Sequence, residues 1–374
     1  MTCPSEALAK EGIIQEMTTY LLRLNLDVKE SDFKNQLRFT LAASSIKSLS
    51  RRTNKIVALS HLGRPNGINK SLSLERFAPA LTAASGRKIR FIPHFNFQKI
   101  KREIDRAPGG SVFLLENLRY LPGEAKNSKT LAKQLASLGE YYINDDFATS
   151  HRDAASISGI TGSLPGKPGP ILKKEVQALT KIRTKPRHPF VLVIGGAKMA
   201  DKIVLMRYLL PKVDHILVGG GPANNFLKLK KIHIGSSIYE PKLTQTTKLL
   251  ARSKKVVIPV DWKKERNKIL DIGPRTVKLY TQIISSARTI IWNGPMGYFE
   301  NKKFSNGTEK IAKAILKNKK ARVVIGGGET IAALPLKVKK QNYGQVFIST
   351  GGGAMLEFLA GKKLPGIESL KRKR

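Results

Sequence analysis

The stretch Ala321–Thr330, ARVVIGGGET, sets a β-branched run against three glycines and an acid. Val and Ile at successive positions read as a strand buried on both faces, and the glycines as the turn that follows it. The same order of parts recurs on both sides. PFVLVI (189–194) runs into GGAKMADK and then the apolar-periodic IVLMRYLL. DHILV (214–218) meets GGG, KKVVIPV (254–260) meets Asp261, RTIIW (288–292) meets NGPMG, and QVFIST (345–350) meets GGGA. Six such units in series predict a parallel, doubly wound α/β sheet. A sheet of this kind takes its ligands at the carboxyl ends of its strands, where the glycines fall.

The first part of the chain is less regular but similar in kind. TTYLLRLNLDV (18–28), KIVALSHLGRP (55–65), KIRFIP (88–93), SVFLLENLRY (111–120) and YYINDDF (141–147) read as strands ending in polar residues, with helical stretches such as TLAKQLASL (130–138) between some of them. They predict a second α/β domain. The Pro- and Gly-rich LPGKPGP (164–170) marks the boundary, and ILKKEVQALTKIR (171–183) reads as a connecting helix. The expected organisation is an N-terminal domain over 1–169, a connecting helix over 170–185 and a C-terminal domain over 186–353.

A length of 374 residues, 41% of them hydrophobic, accommodates two such cores. The single cysteine, Cys3, excludes an internal disulfide and fits a reducing compartment, or simply a fold that needs no staple. The lead-in MTCPSEALAKEG lacks a basic region followed by an apolar run, so no signal peptide is expected. No apolar run approaches the ~18 residues of a membrane span, and a cytoplasmic protein is expected. The charge is unusual: 67 Lys and Arg against 27 Asp and Glu, a net of +40. Residues 1–150 carry 23 basic against 14 acidic side chains, residues 151–374 carry 44 against 13. Such an excess fits nucleic acid, anionic lipid or a polyanionic substrate. The clusters KNKK, KVKK, KKER and KRKR nevertheless sit at helix ends and loops, without the aromatics that single-strand binding favours. A Lys-rich surface is therefore the first reading, with a nucleic-acid partner left open.

The triplets Gly219–Gly221, Gly326–Gly328 and Gly351–Gly353, with Gly195–Gly196, each follow a predicted strand. Bare glycines let backbone N–H groups approach an anion, and a helix N-terminus adds about half a positive charge, so a phosphorylated ligand is expected there. None fits GxxxxGK[ST], and none gives GxGxxG with an acid ~20 residues on, which excludes a Walker-type NTPase and an ordinary dinucleotide binder. Lys198 and Lys202 share one helix face, which an anion between them would stabilise. The first domain offers Arg23, Arg38, Arg64, Arg119 and Arg152 near strand ends, two of them accompanied by His61 and His151. Guanidinium forks suit carboxylates and phosphates, so these predict a basic pocket for a small acid. There is no Cys/His metal spacing, no HExxH, no GxSxG and no carboxylate pair for acid–base work. The combination suits phosphoryl transfer, which needs positioning and charge neutralisation rather than covalent machinery.

Taken in order, SHLGRP, GGAK with the following DK, WNGPMGYFE, GGGET and STGGGAMLEF resemble phosphoglycerate kinase, over nearly the whole chain from about residue 20 to LPGI. The resemblance implies reversible phosphoryl transfer from 1,3-bisphosphoglycerate to ADP in glycolysis, with Mg²⁺, by a monomer. It implies that the N-terminal domain holds the phosphoglycerate through Asn25, Asp27, Arg38, His61, Arg64, Arg119 and Arg152, with Arg38 also meeting the phosphoryl group in flight. It implies that the C-terminal domain holds the nucleotide through Gly196, Ala197, Lys198, Lys202, Gly220, Gly221, Asn293, Pro295, Glu300, Gly326, Gly327, Gly328, Glu329 and Thr330. Among these, Lys202 reaches the transferring group, Glu300 faces the ribose, and Gly327 and Gly352 belong to helix N-termini aimed at the phosphates. In the family the domains close like a hinge about one long helix, and the last segment, from about Ala354, returns to the first domain. Closure excludes the water that would hydrolyse the acyl phosphate.

Three departures stand out. The family usually reads R-x-D-x-N near its first strand; here the order is Arg23-Leu-Asn25-Leu-Asp27. Its GGGDT is GGGET here, which puts Glu329 where an aspartate works near the nucleotide's Mg²⁺. DWKKERNKILDIGP (261–274) is shorter than usual, so adenine-side contacts are not carried over onto it.

Overall fold

The computed structural model describes residues 17–28, 33, 36–241, 244–335 and 342–371. Cys3, the lead-in MTCPSEALAKEG, KVKK at 337–340 and the last three residues of KRKR lie outside them. The chain divides into two compact units: Met1–Asp146, Asp153–Gly169 and Ser369–Arg374 form one, Phe147–Arg152 and Pro170–Glu368 the other.

In the first unit the apolar runs become β1 (Thr18–Arg23), β2 (Asn54–Leu59), β3 (Ile89–Ile92), β4 (Val112–Leu115) and β5 (Tyr141–Asn144). With β6 (Gly166–Pro168) they form a six-stranded parallel sheet ordered β3-β4-β2-β1-β5-β6. β2 is buried at every residue, as a strand with two covered faces must be. One cluster packs Leu22, Phe39, Ile46, Phe77 and Leu81 against the sheet; the other packs Ile100, Ile104, Leu131 and Leu135. β6 lies inside LPGKPGP, the expected boundary. Its Pro168 is tolerated because β6 is an edge strand. The flanking Pro165 carbonyl accepts from Tyr142 N at 2.9 Å, and Gly169 N donates to the Asn144 carbonyl at 2.7 Å.

In the second unit the six expected runs become β7 (Phe190–Ile194), β8 (His215–Val218), β9 (Val256–Val257), β12 (Thr289–Asn293), β13 (Arg322–Gly326) and β15 (Val346–Ile348). All six are parallel, in the order β15-β13-β12-β7-β8-β9, and an antiparallel β14 (Asn342–Tyr343) is added beside β15. The fully buried Trp292 sits in the central β12. Glycines 219–221 also open a helix, Gly220–Leu229. A separate antiparallel hairpin, β10 (Trp262–Glu265) and β11 (Lys268–Ile272), occupies the shortened stretch read as a loop.

The ILKKEVQALTKIR helix spans Pro170–Thr184 and belongs to the second unit. There its buried Glu175 accepts from Thr350 N at 2.6 Å and Thr350 Oγ1 at 2.8 Å, just beyond β15. The return to the first unit falls at Ser369, later than the expected Ala354. The reason is packing: helix Gly352–Leu359 buries Ala354, Met355, Leu356, Phe358 and Leu359 within the second unit.

Candidate active site

In the first unit, the chain leaving β1 turns through Asn25 and Asp27, and the chain leaving β2 passes His61 and Gly63. Asp27 links them. Its Oδ1 accepts from Gly63 N at 3.0 Å, its Oδ2 lies 3.9 Å from His61 Nε2, and its carbonyl accepts from Arg38 Nη1 at 2.9 Å. Arg119, just past β4, donates to the Gly63 carbonyl. Asn25, Asp27, Arg38, His61 and Arg119 are thus drawn to the carboxyl ends of three adjacent strands. Arg64 is exposed beside them in sequence. Arg23 belongs to the interior instead. It is 1% exposed, and its guanidinium pairs with the buried Asp146 at 3.2 Å, donates to Ser156 Oγ at 3.1 Å and meets His61 Nδ1 at 2.8 Å.

The exchange of Asn25 and Asp27 has a local cause. Asn25 Nδ2 donates to Asp146 Oδ1 at 2.8 Å, and Asn25 Oδ1 accepts from Asp27 N at 3.1 Å. Only an amide can do both; a carboxylate at 25 would face another carboxylate. The negative charge then stands at Asp27, whose side chain is 39% exposed.

Arg152 falls outside this group. The segment Phe147–Arg152 belongs to the second unit, where Phe147 packs on Gly351 and His151 Nε2 lies 3.5 Å from the position of a β-carbon on Gly353.

In the second unit, glycines bring strand-end loops into backbone contact. Gly196 N donates to the Pro295 carbonyl at 2.7 Å, Gly220 N to Met296 at 2.9 Å and Gly221 N to Gly196 at 2.8 Å. A β-carbon on Gly221 would collide with the Ala197 carbonyl, and one on Gly294 with that of Gly195. These N–H groups are engaged by carbonyls, and the glycines permit the close backbone approach that makes those bonds. The later triplets differ. A β-carbon on Gly328 would meet nothing within 4 Å, and Gly352 approaches the Gly327 Cα, so the turns after β13 and β15 lie side by side. Gly327 has a φ of 98°, a region that glycine enters without penalty.

Thr330 and Asn293 hold this arrangement together. Thr330 is fully buried, and its Oγ1 accepts from Gly294 N at 2.6 Å. Asn293 Nδ2 donates to the Gly326 carbonyl at 2.8 Å. The Thr330 hydroxyl thus fixes the loop that carries Pro295.

Beside these loops opens a largely apolar cavity of about 440 Å³. Gly196, Ala197, Gly220, Gly221, Pro295, Glu300 and Glu329 line it, as do residues the sequence did not single out: Leu227, Trp262, Leu270, Asp271 and Tyr298. Trp262, Leu270 and Asp271 come from the hairpin, whose turn places Arg266 and Asn267 at φ 45° and 60°. Two left-handed residues between alternating strands are the mark of a tight two-residue hairpin turn, and Asn267 is a fitting occupant. That signal lay in KKERNKIL but is weak without the usual Gly.

Lys202 is 8% exposed, with Nζ donating to the Lys198 carbonyl at 3.1 Å; Lys198 itself is exposed. Lys202 Nζ and the exposed Glu329 both approach Gly196 at the cavity wall. Asp271, at the cavity's edge, is 1% exposed and has its pKa pushed up to about 6 by burial, against hydrogen bonds from Gly307 N at 2.8 Å and Ile272 N at 2.9 Å. Among the described residues no cluster of three or more His, Cys, Asp or Glu could cage a metal. Nor, among the described residues, is any helix long and apolar enough to cross a membrane.

A family model described as Phosphoglycerate kinase matches residues 16–362. The chain belongs to the phosphoglycerate kinase family. Curated relatives carry the same name. That of Pseudothermotoga lettingae is 38% identical over 383 residues, covering 95% of this chain and 96% of its own. That of Thermosipho africanus is 40% identical over 378 residues, covering 94% of each. The solved phosphoglycerate kinase of Coxiella burnetii superposes with a TM-score of 0.77 at 33% identity, over 96% of this chain and 98% of that one. That of Pyrococcus horikoshii OT3 gives 0.81 at 30%, over 95% and 96%. The two parallel α/β sheets are the phosphoglycerate kinase fold, and glycolytic phosphoryl transfer with ATP is what this family does.

Proposed function

We propose that this chain catalyses reversible phosphoryl transfer between 1,3-bisphosphoglycerate and ADP, giving 3-phosphoglycerate and ATP, in the cytoplasm. The observation that carries the reading is the convergence of Lys202 and Glu329 on Gly196 at the wall of an apolar cavity. An adenine fits between Trp262, Leu270 and Tyr298, with Glu300 toward the ribose. That places the phosphates toward Lys198, Lys202 and the turns Gly326–Gly328 and Gly351–Gly353. Arg38, His61, Arg64 and Arg119 hold the phosphoglycerate, with Asn25 and Asp27 toward its hydroxyl. The carboxylate of an acyl phosphate is already a good leaving group, so these residues bind, orient and neutralise charge, and no acid–base pair is needed.

The exposed carboxylate of Glu329 fits a Mg²⁺ held mainly by phosphates and water. Such an ion, when bound, neutralises charge on the transferring group.

A coupled assay of ATP consumption with 3-phosphoglycerate tests the reading. Turnover is expected in the native chain and its loss in Lys202→Ala; a native chain as inactive as that variant overturns the proposal. Trp262 borders the cavity while Trp292 is fully buried, so ADP should change the tryptophan fluorescence of the native chain but not of Trp262→Phe.

A further inference from the structure

We propose that Arg23 locks His61 as the neutral imidazole carrying its only proton on Nε2, making Arg23 a positioning residue for the pocket of the first unit. Arg23 Nη2 and His61 Nδ1 are 2.8 Å apart, and both residues are 1% exposed. A guanidinium keeps its protons at any ordinary pH and has no acceptor, so Nδ1 must present its lone pair. The ring therefore cannot carry a proton there, and an imidazolium would set two buried cations against each other.

The guanidinium has no freedom to turn away. Asp146, whose side chain is fully buried, holds it at 3.2 Å and keeps it charged. Ser156 Oγ accepts from Nε at 3.1 Å and is itself anchored to Glu124 at 2.6 Å. The Leu24 and Leu59 carbonyls accept from Nη1. Charged groups near the imidazole include Arg23 at the end of β1, with Asp146 behind it, and Asp27 in the following loop, whose Oδ2 is 3.9 Å from Nε2. The remaining ring proton points to the side where Asp27 and Arg38 gather.

The functional consequence rests on the reading of this end as the phosphoglycerate site. His61 contributes an uncharged N–H donor to the ligand's anionic oxygens. Its contribution stays constant where a free imidazole, titrating near pH 6.5, would lose its charge.

The test is ¹⁵N NMR of the histidine-labelled, ligand-free protein between about pH 5.5 and 8. Among the chain's six histidines, His61 is assigned by the signals missing in His61→Gln. Should that variant not fold, the signals shifted in Arg23→Lys assign it instead. The expected result is one protonated Nε2 and one unprotonated Nδ1 throughout, with no titration. A ring protonated on Nδ1, or titrating with an ordinary midpoint, overturns the proposal. Arg23→Lys, which keeps a charged donor, should retain the tautomer, and Arg23→Met should make the ring titrate. The measurement needs no substrate. An inactive enzyme with the expected tautomer would refute the proposed function alone, and an active enzyme with a titrating His61 would refute this inference alone.

Discussion

Lys202 Nζ and Glu329 Oε2 face one glycine from two different strand ends: they lie 3.7 and 3.4 Å from the position a β-carbon on Gly196 would take. One residue comes from the helix after β7 and the other from the short helix Gly328–Ala332 after β13. Gly196 has a φ of 83°, so alanine there is strained as well as crowded. The left-handed region costs a side chain roughly 1–2 kcal/mol, and the added methyl presses on both charged groups. Gly196→Ala is expected to weaken ADP binding on the order of tenfold, about 1.4 kcal/mol, in a titration calorimetry comparison.

Glu329 has one methylene more than the aspartate that the family resemblance implies at this place, and it remains exposed at the cavity wall. Glu329→Asp should retain turnover, and Glu329→Ala should raise the concentration of Mg²⁺-nucleotide needed for half-maximal rate. Unchanged kinetics in the alanine variant would show that the longer side chain stands clear of the metal.

Thr330 is a structural acceptor. Replacing its hydroxyl by a methyl in Thr330→Val leaves Gly294 N buried without its partner, which costs about 1–3 kcal/mol. Denaturant unfolding should report that loss, and Thr330→Ser should recover most of it. Nucleotide affinity should fall in parallel, because Pro295 follows Gly294 into the cavity wall.

Asn25→Asp places a second carboxylate 2.8 Å from Asp146 Oδ1 in a buried setting. Arg23 can balance only one of them. The variant is expected to lose about 2–3 kcal/mol of stability at neutral pH and to regain part of it under mild acid, where one carboxyl protonates. Thermal unfolding at the two pH values checks this; equal losses at both would show that the pair is not electrostatically coupled.

Asp271 should make the second unit less stable as pH rises from about 4 to 6. Its carboxyl has a pKa of about 6 when folded against 3.8 as the ordinary value, chiefly because burial penalises the charged form. Between those values the folded chain holds a proton that the unfolded chain has released, so acid favours folding there. A gap of about two units corresponds to on the order of 3 kcal/mol, fully lost above pH 6. In Asp271→Asn this slope should vanish, and the comparison of unfolding free energies at pH 4.5 and 6.5 isolates it from the other titrating groups.

Strand runs were legible because a strand covered on both faces needs a continuous apolar sequence, and PFVLVI, RTIIW and ARVVI supply it. LPGKPGP concealed an edge strand because Pro and Gly, which elsewhere end strands, are tolerated where one side of the ladder is free. The hairpin at 262–272 was hidden because its turn lacks the Gly that usually marks it. Of the expected anion sites, the glycines at 196, 220 and 221 line the cavity with their N–H groups bonded to carbonyls. An N–H group looks the same in sequence whether a phosphate or a carbonyl receives it.

By itself the sequence determined the α/β class, the succession of strands and the family, because hydrophobic period and turn chemistry are properties of neighbouring residues. The tertiary structure decided which polar groups remain available for a ligand. Asn25 meets Asp146 across 121 positions, Thr330 holds Gly294 across 36, and Arg23 meets His61 across 38. A buried donor or acceptor must find a partner, and folding alone determines which distant residue supplies it.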